Sequence, residues 1–275
     1  MRRLGATALA LAALLLAGCG GGGANPLGSF KNLGGGRGKP VGIWGAPTNG
    51  DAPKALVILI HGGGWTGLNP IQFRGMLGTA PVFQAVGFET LTVDYRRGEQ
   101  GIEDVQGMYR TARRLVGPRL AICALGVSAG GHIALMLAVR EPDLACVIDL
   151  AGPTDLAAFR TDPRGAVGYQ IVTRAFGKHT LGGLSPALRA GAIRARLLLV
   201  YALDDPLVPV AQGEEMARAD PHARLILLPP GNAPFVHTGV GAPVSVSGVN
   251  ASANTAAQQA EVDFLSAAAQ GRGGG

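Results

Sequence analysis

The sequence predicts an α/β domain built on a mostly parallel, doubly wound β-sheet. Short apolar runs alternate with helical patterns along the chain, and this alternation is typical of such sheets. The 275 residues suit one domain of this kind with short extensions at its ends. Hydrophobic residues make up 47% of the chain and charged residues 15%, so the domain can bury a sizeable core.

Continuous apolar runs predict the strands of the sheet. Most of them lack strict alternation of apolar and polar residues, as do strands that are buried on both faces. The runs lie at 55–60, 90–95, 120–125, 145–150, 196–203 and 223–228. Residues 41–44 predict one further strand before this core.

Helical patterns fill the segments between these strands. They lie at about 70–86, 103–116, 129–140, 184–192 and 210–218, and a last one at about 254–269 follows the final strand. Because strands and helices alternate, we expect right-handed crossovers between parallel strands. The domain then covers residues 40–269, and residues 270–275 form a disordered tail.

Two long connections interrupt this alternation. Residues 152–183 contain polar residues, glycine and proline, and residues 229–252 are rich in Gly, Pro, Ser and Val. Connections of this length in a compact domain are usually functional. We expect a small cap, or long loops, over the carboxyl edge of the sheet.

The first residues have the pattern of an export signal, which we assign to residues 1–18. Arg2 and Arg3 precede an apolar run that is too short to span a membrane. Residues 19–39 are rich in glycine, which predicts a flexible tether between the signal and the domain.

The end of this signal, Leu16-Ala17-Gly18-Cys19, resembles a bacterial lipobox. The resemblance implies cleavage before Cys19, acylation of Cys19 and a lipid anchor in the bacterial cell envelope. The residue after Cys19 is Gly20, and in this respect the sequence resembles lipoproteins that are sorted to an outer membrane. Several acyl chains would anchor the protein stably, because a single chain binds a membrane only marginally. The alternative is an ordinary cleaved signal with a chance cysteine.

The other two cysteines, Cys123 and Cys146, lie in apolar runs that predict buried strands. They could form a disulfide in an oxidising compartment. We favour two buried free thiols, because the sequence does not provide the Cα separation that a disulfide requires. No spacing of potential ligands predicts a metal site.

The charge pattern indicates a solvated surface rather than a nucleic-acid-binding face. The formal net charge is +6, and the basic residues are scattered instead of forming a block or a basic helix. Aromatic residues make up only 5% of the chain, which does not favour a polysaccharide-bound substrate.

The segment Gly126-Val127-Ser128-Ala129-Gly130 directly follows a predicted strand and begins a predicted helix. This is the G-x-S-x-G pattern of a nucleophile elbow in the context that the motif requires. Small residues let neighbouring backbone pass close to the turn, which raises the Ser128 hydroxyl above the edge of the sheet. We therefore predict that Ser128 is a nucleophile. The alternative is a simple glycine-rich turn.

A second glycine-rich segment, His61-Gly62-Gly63-Gly64-Trp65, directly follows the predicted strand at 55–60. We expect the backbone N–H groups of Gly63 and Gly64, together with that of Ala129, to form an oxyanion hole. A phosphate-binding loop is the competing interpretation. No Lys-Ser or Lys-Thr follows the glycines, however, and no G-x-G-x-x-G pattern is complete.

The segments 61–65 and 126–132 together resemble the α/β-hydrolase superfamily, and most closely its esterase branch. That branch includes hormone-sensitive-lipase-like, feruloyl-esterase-like and kynurenine-formamidase-like enzymes. Asp94-Tyr95-Arg96 and Asp104 lie where it usually has a D-Y-R sequence and an aspartate. The resemblance covers about residues 40–268. It implies an α/β-hydrolase fold, a Ser-acid-His triad and hydrolysis of an ester or a related acyl bond, without a metal or organic cofactor.

In this superfamily the acid follows a late strand and the histidine follows the last strand. The family pattern D-x-x-V-P selects Asp205 over its neighbour Asp204, although Ala202 replaces the usual glycine. His237 is the only histidine after the last predicted strand. Its rival His222 precedes that strand and would point away from the carboxyl edge.

The remaining histidines are assigned other roles. His132 follows the predicted nucleophile by four residues on the same helix, and we interpret it as structural. We expect His61 to support the oxyanion loop, and His179 to lie at the surface of the possible cap.

The sequence thus predicts a serine carboxylic ester hydrolase that acts on a small-molecule ester. Asp205 would orient His237, and His237 would take the proton of Ser128 as an acyl-enzyme forms. Two alternatives stay open: a serine peptidase or amidase on the same fold, and a non-catalytic envelope lipoprotein. The sequence determines neither the natural substrate nor the oligomeric state.

Overall fold

A computed structural model of the protein describes residues 31–35, 38–163, 165–178, 181–238 and 251–270. The predicted signal segment, Cys19 and most of the predicted tether lie outside these residues, as does His179. No helix in the described part of the chain combines the length and apolar character that crossing a bilayer requires.

Eight strands form one sheet. They are β1 Lys31–Gly34, β2 Val41–Gly45, β3 Leu56–Ile60, β4 Glu89–Val93, β5 Ile122–Val127, β6 Cys146–Leu150, β7 Arg196–Ala202 and β8 Arg224–Leu228. Their order across the sheet is β1-β2-β4-β3-β5-β6-β7-β8. The pairs from β4 to β8 are parallel, and β1 and β2 join antiparallel at one edge. The mostly parallel sheet is confirmed, and every predicted strand is present.

Helices connect the strands. They are α1 Pro70–Leu77, α2 Ala80–Ala85, α3 Glu99–Val116, α4 Ala129–Arg140, α5 Ala166–Phe176, α6 Ala211–Ala219, α7 Ala233–Thr238 and α8 Ala251–Gln270. Short 3-10 helices span Ala158–Arg160, Leu181–Leu184 and Pro186–Ala192. The helix predicted at 70–86 is two helices, because Pro81 lacks the N–H that a continuous helix requires at its position. Gln270, which we assigned to the tail, ends α8.

The centre of the sheet is fully covered. Every residue of β3, β5 and β6 is buried, and so are ten of the twelve residues of α4. This burial on both faces accounts for their continuous apolar sequence, because no position faces water and selects a polar residue. It also holds the end of β5 and the start of α4 rigidly in the core.

The prediction of a flexible tether is wrong for residues 31–34. These residues form β1 and pair with β2, so that Leu33 lies opposite Gly42. The physical reason is that β2 would otherwise be an edge strand with a row of unpaired N–H and C=O groups. Backbone pairing makes little demand on side chains, so the composition of the segment did not reveal the strand.

The prediction of two free thiols is also wrong. Cys123 and Cys146 form a disulfide across the neighbouring strands β5 and β6. The two residues are register partners, and their Cα atoms lie 4.6 Å apart, within the range that a disulfide requires. Only the strand register creates this separation, since 23 positions separate the cysteines in the sequence.

Candidate active site

Ser128 lies in the sharp turn between β5 and α4. Its backbone has φ 53° and ψ −119°, a conformation that non-glycine residues rarely adopt. The N–H of Ser128 donates to the carbonyl of Leu150 at 2.8 Å, and its own carbonyl accepts from the N–H of His132 at 3.1 Å. The turn is therefore held on both sides, and it has the strained geometry of a nucleophile elbow.

The two glycines of the elbow permit this turn. A Cβ atom at Gly126 would lie 2.1 Å from the carbonyl oxygen of Gly130. A Cβ atom at Gly130 would lie 2.2 Å from the carbonyl oxygen of Ile60, at the end of β3. Any larger residue at either position would collide with backbone, which explains why the motif has glycine on both sides of the serine.

The glycine loop after β3 lies against the elbow. A Cβ atom at Gly62 would be 3.4 Å from Cβ of Ser128. Gly63 and Gly64 have φ values of 108° and 60°, so the loop turns in conformations that favour glycine. The N–H of Ala129 is the first of α4 and has no acceptor within the helix. The three predicted oxyanion donors therefore lie on two segments that meet at Ser128.

The side chain of His61 connects the glycine loop to Asp94 after β4. Its Nδ1 lies 2.7 Å from the carbonyl oxygen of Gly62, and its Nε2 lies 2.9 Å from Oδ1 of Asp94. Both partners are oxygen acceptors, and the tautomer of His61 decides which ring nitrogen donates. Burial tends to raise the pKa of Asp94, but the hydrogen bond and the charge of His61 outweigh burial and lower it. The hydroxyl of Tyr95 also donates to the His61 carbonyl at 2.8 Å. These contacts agree with the predicted supporting role.

His132 has a structural role as well. Its Nδ1 accepts a hydrogen bond from Nε1 of Trp65 at 3.1 Å, and its Nε2 donates to the carbonyl of Leu184 at 2.8 Å. Complete burial lowers the pKa of His132 to about 4, against the opposing effect of the Leu184 hydrogen bond. The ring is therefore neutral near pH 7, and it ties the oxyanion loop to a 3-10 helix.

The structure brings Asp205 and His237 together. Asp205 follows β7 and is 2% exposed, and its Oδ2 lies 2.6 Å from Nε2 of His237 on α7. Its other oxygen accepts from the N–H groups of Leu207 at 2.8 Å and Val208 at 3.1 Å. The carboxylate is thus fixed in one orientation towards the imidazole.

The rival residues lie elsewhere. Asp204 is exposed, and its Oδ2 accepts from the N–H of Gly231 at 2.7 Å. His222 is exposed in the turn before β8, where its N–H donates to Asp220 at 3.0 Å. Neither residue lines the pocket that contains Ser128 and His237.

A pocket of about 210 Å³ joins the predicted residues. Ser128, His237, Gly63 and Gly64 line one side of it. The remaining walls are largely apolar, with Gln72 as a polar exception, and their larger apolar side chains are Trp65, Phe159, Ile171, Val172 and Leu207. Phe159, Ile171 and Val172 belong to the segment 152–183, so this segment does help to cover the site. Within the described residues, no cluster of three or more His, Cys, Asp or Glu side chains is placed to hold a metal ion.

Sequence analysis missed one buried polar group beside the elbow. Asp149 of β6 accepts from the N–H of Gly152 at 2.8 Å and from the hydroxyl of Tyr201 at 2.7 Å. The same hydroxyl also contacts the Gly152 carbonyl. Burial raises the pKa of Asp149 to about 7, although both hydrogen bonds act in the opposite direction. Its sequence signal was a single acidic residue inside the apolar run 145–150.

Asp149 also explains a glycine in α4. A Cβ atom at Gly131 would lie 2.0 Å from Oδ1 of Asp149. The buried carboxyl group therefore fills the space beside the first turn of α4, three residues after Ser128. It links the elbow to the loop that follows β6 and begins the cap segment.

Comparison with known sequences gives one family and two distant relatives. A sequence model of the BD-FAE family matches residues 45–219. Dipeptidyl aminopeptidase BIII of Pseudoxanthomonas mexicana is 25% identical over 197 residues, which are 62% of this chain and 28% of that protein. Dipeptidyl peptidase family member 6 of Caenorhabditis elegans is 22% identical over 201 residues, 61% of this chain and 26% of that protein. This chain thus spans only about a quarter of the length of these relatives.

Solved structures share the fold at low sequence identity. Puromycin hydrolase superposes with a TM-score of 0.67 at 18% identity, over 87% of this chain and 39% of that one. Esterase B from Lactobacillus Rhamnosis (HN001) gives 0.64 at 14% identity, over 84% of this chain and 82% of that one. A truncated carbohydrate esterase from gut microbiota has a TM-score of 0.66 at 17% identity, and the match covers 83% of this chain and 90% of that one. These likenesses confirm the α/β-hydrolase fold that the motifs implied.

Proposed function

The chain belongs to the BD-FAE family, and on that premise we propose that it is a serine hydrolase that cleaves carboxylic esters. One observation carries the proposal. Ser128 at a strained elbow, His237 and the glycine loop all border the same pocket, and the buried Asp205 holds His237 by a hydrogen bond. A nucleophile, a base with its orienting acid and oxyanion donors are the groups that acyl transfer requires.

The proposed reaction uses these groups in a fixed order. His237 takes the proton of Ser128 as the Ser128 Oγ attacks the acyl carbon. Asp205 stabilises the imidazolium that forms. The alcohol leaves with the proton from His237, and water activated by the same ring then hydrolyses the acyl-enzyme. These steps need no metal or organic cofactor.

Backbone donors stabilise the charge that develops in both steps. The N–H groups of Gly63, Gly64 and Ala129 are the proposed donors to the tetrahedral oxyanion. The loss of one such donor typically costs about 2.7–4 kcal/mol of transition-state stabilisation. The bracing contacts of His61 and His132 support this role, because they keep the glycine loop in place before substrate arrives.

The lining of the pocket supports an ester over a peptide with a free amino terminus. A peptidase that removes residues from an amino terminus needs a carboxylate to hold the terminal ammonium group. No aspartate or glutamate is among the described residues that line the pocket. The extent of the structural matches agrees, since the chain covers 90% of the carbohydrate esterase and 39% of puromycin hydrolase.

A serine peptidase or amidase activity is the second candidate. It is favoured by the sequence relatives, both of which are named as dipeptidyl peptidases. Ester and amide hydrolysis would use the same triad, so only substrates distinguish the two candidates.

The first experiment compares the full chain with its Ser128→Ala variant on p-nitrophenyl esters from acetate to palmitate. We expect turnover to peak at short acyl chains, because the pocket holds only about 210 Å³. Ser128→Ala should lower kcat by about 10⁴-fold or more, and Ser266→Ala on α8 should not. Circular dichroism checks that each variant is folded.

Three outcomes would contradict the proposal. Full activity of Ser128→Ala would overturn the assigned nucleophile. Cleavage of the matching p-nitroanilides without cleavage of the esters would replace the ester hydrolase with an amidase. A folded protein that turns over neither class would support the non-catalytic alternative.

We also propose that the protein is anchored in the bacterial envelope through acylated Cys19. The lipobox-like sequence 16–19 is the basis of this proposal, and it lies outside the described residues. Cys19→Ser should move the protein from the membrane fraction to the soluble fraction, and mass spectrometry of the wild type should find acyl chains on Cys19. An unmodified cysteine would contradict the anchor.

A further inference from the structure

A second cavity, of about 340 Å³, adjoins the catalytic pocket. It is lined by Gly64, Thr66, Arg97, Ile171, Arg174 and Ala175. Gly64 and Ile171 line both spaces, and a Cβ atom at Gly64 would lie 2.9 Å from Cγ2 of Ile171. The catalytic pocket and the second cavity are therefore neighbours, separated by the contact between Gly64 and Ile171. A substrate group that passes this contact would enter the second cavity.

The charge in this cavity is entirely positive. Arg97 and Arg174 are exposed, and neither forms a salt bridge with any described residue. No aspartate or glutamate is among its lining residues. An arginine guanidinium has five N–H donors in a planar fork that matches a carboxylate. Among the described residues, the guanidinium of Arg97 makes one hydrogen bond, to the carbonyl of Arg174 at 2.5 Å. The guanidinium of Arg174 makes no hydrogen bond with these residues.

The position of Arg97 is coupled to the oxyanion loop. A Cβ atom at Gly67 would lie 2.9 Å from the backbone nitrogen of Arg97, and the N–H of Gly98 donates to the carbonyl of Trp65 at 3.2 Å. The bond from Arg97 to the Arg174 carbonyl then joins this segment to α5. The Arg97 guanidinium and the backbone of Arg174 therefore have a defined place relative to the oxyanion loop, and through it to Ser128.

We propose that Arg97 and Arg174 form a subsite for a carboxylate on the ester substrate, so that the enzyme prefers esters that carry a negative charge near the scissile bond. This inference rests on the proposed function and specifies its substrate class. The carboxylate would belong to whichever part of the ester, acid or alcohol, passes Gly64. The remaining N–H groups of both arginines would donate to its oxygens.

The kinetic test uses two matched pairs of esters with the full chain at low salt. p-Nitrophenyl butyrate and the mono-p-nitrophenyl ester of glutarate differ by a carboxylate on the acid side. Phenyl acetate and 4-acetoxybenzoate differ by a carboxylate on the alcohol side. The readout is the ratio of kcat/KM for the charged ester to kcat/KM for the neutral one. Comparing this ratio between variants removes the difference in intrinsic reactivity of the esters.

Arg174→Gln is the variant of choice, because the side chain of Arg97 also holds the end of α5. We expect it to lower the ratio for at least one pair by about two- to fivefold, within the range of exposed charge pairs. Arg174→Glu should lower it further. About 1 M salt should have a similar effect on the wild type, because the Debye length then falls to about 3 Å.

Arg114→Gln is the matched control. Arg114 is exposed on α3, its guanidinium contacts Thr111, and it lines neither cavity. This variant removes the same charge from the protein, so it should leave both ratios at their wild-type values. A fall as large as that in Arg174→Gln would show an effect of net charge and would overturn the subsite.

A binding measurement separates this inference from the proposed function. Benzoate and its neutral analogue benzamide are titrated into Ser128→Ala by calorimetry, and then into Ser128→Ala with Arg174→Gln. We expect tighter binding of benzoate, and loss of that difference when Arg174 is replaced. Equal binding of the two compounds, or a benzoate preference that survives the replacement, would overturn the subsite.

The two proposals can fail separately. Turnover of neutral esters with ratios that Arg174→Gln does not change would overturn the subsite and leave the ester hydrolase intact. Absence of any ester turnover would overturn the ester hydrolase, and the benzoate titration would still decide whether the subsite exists.

Discussion

Asp204 and Asp205 are neighbours in the sequence with the same side chain, yet their surroundings differ completely. Asp205 is buried and receives hydrogen bonds from two backbone N–H groups and from His237. Asp204 is exposed and contacts the N–H of Gly231 in the loop after β8. The first arrangement orients an imidazole, and the second joins two loops.

This difference predicts different consequences of the same substitution. Asp205→Asn should lower kcat by about 10³–10⁴-fold, because an amide no longer stabilises the imidazolium and favours the wrong tautomer of His237. Asp204→Asn should keep kcat within about threefold of wild type, since a side chain that only contacts a loop amide takes no part in acyl transfer. Steady-state kinetics on a short-chain p-nitrophenyl ester measures both. Equal losses in the two variants would contradict the assigned acid.

Glu261 is an acidic residue in a fully buried environment. It lies on α8, and neither of its carboxyl oxygens has a hydrogen-bond partner among the residues that the structure describes. Burial raises its pKa to about 8. A buried carboxyl group without a partner is destabilising, so an apolar side chain of similar size should be tolerated better.

At the scale of secondary-structure elements, the disulfide joins the two strands that frame the elbow. Cys123 lies near the start of β5, which ends one residue before Ser128, and Cys146 begins β6. The disulfide therefore closes the amino end of this strand pair, while the elbow occupies the opposite, carboxyl end. It encloses α4, the helix that begins at the elbow.

Removing this disulfide should lower the free energy of unfolding and leave the rate of ester hydrolysis nearly unchanged. For Cys123→Ala with Cys146→Ala, we expect the free energy of unfolding to fall by about 3 kcal/mol, because the unfolded chain regains the freedom of a loop of this length. Urea unfolding measures the change, and ester turnover at 25 °C should stay within about twofold of wild type. An unchanged free energy of unfolding would mean that the crosslink does not constrain the unfolded chain.

The cap segment shows how elements combine at the pocket. Phe159 comes from a 3-10 helix, and Ile171 and Val172 come from α5. A Cβ atom at Gly168 would lie 2.2 Å from the ring of Phe159, so α5 packs closely on that ring. The apolar wall of the pocket thus depends on contact between two short helices.

At the scale of the whole molecule, buried groups with shifted pKa values make stability depend on pH, and among the described residues they include Asp149, Glu261 and His132. The pKa of Asp149 is raised to about 7 and that of Glu261 to about 8, so the folded state keeps these protons longer than the unfolded state. Asp149 and Glu261 contribute most to the free energy of unfolding at pH values below the ordinary pKa range of carboxyl groups. This contribution is lost as the pH rises towards 8. His132 acts in the opposite sense, because its lowered pKa makes the unfolded state bind a proton first as pH falls from about 6.5 to 4.

These signs predict the behaviour of Glu261→Met. Its free energy of unfolding should exceed that of wild type by on the order of 3 kcal/mol at pH 8, since each pKa unit is worth about 1.4 kcal/mol. The advantage should shrink towards pH 5, where Glu261 is protonated in the folded state. Urea unfolding between pH 5 and 9 measures this. Glu103→Met, at an exposed position of α3, is the control and should show no pH-dependent advantage. A constant difference at all pH values would contradict the assignment of the proton to Glu261.

The parallel sheet explains why so much of the candidate site could be predicted. The glycine loop follows β3, Ser128 follows β5 and Asp205 follows β7. Carboxyl ends of parallel strands meet at one edge, so residues after these strands come together once the strands are known. The elbow and the glycine loop are also local motifs, whose residues are close in the sequence as well as in space.

Sequence alone was sufficient for the order of strands and helices, the mostly parallel sheet and the positions of the two glycine motifs, because these follow from local apolar patterns and turn chemistry. Only the tertiary structure decided the disulfide between Cys123 and Cys146, the strand at 31–34 and the position of the arginines beside Gly64. Each of these depends on a distance between residues that are not neighbours in the sequence. Strand register and helix packing set such distances, and no local pattern encodes them.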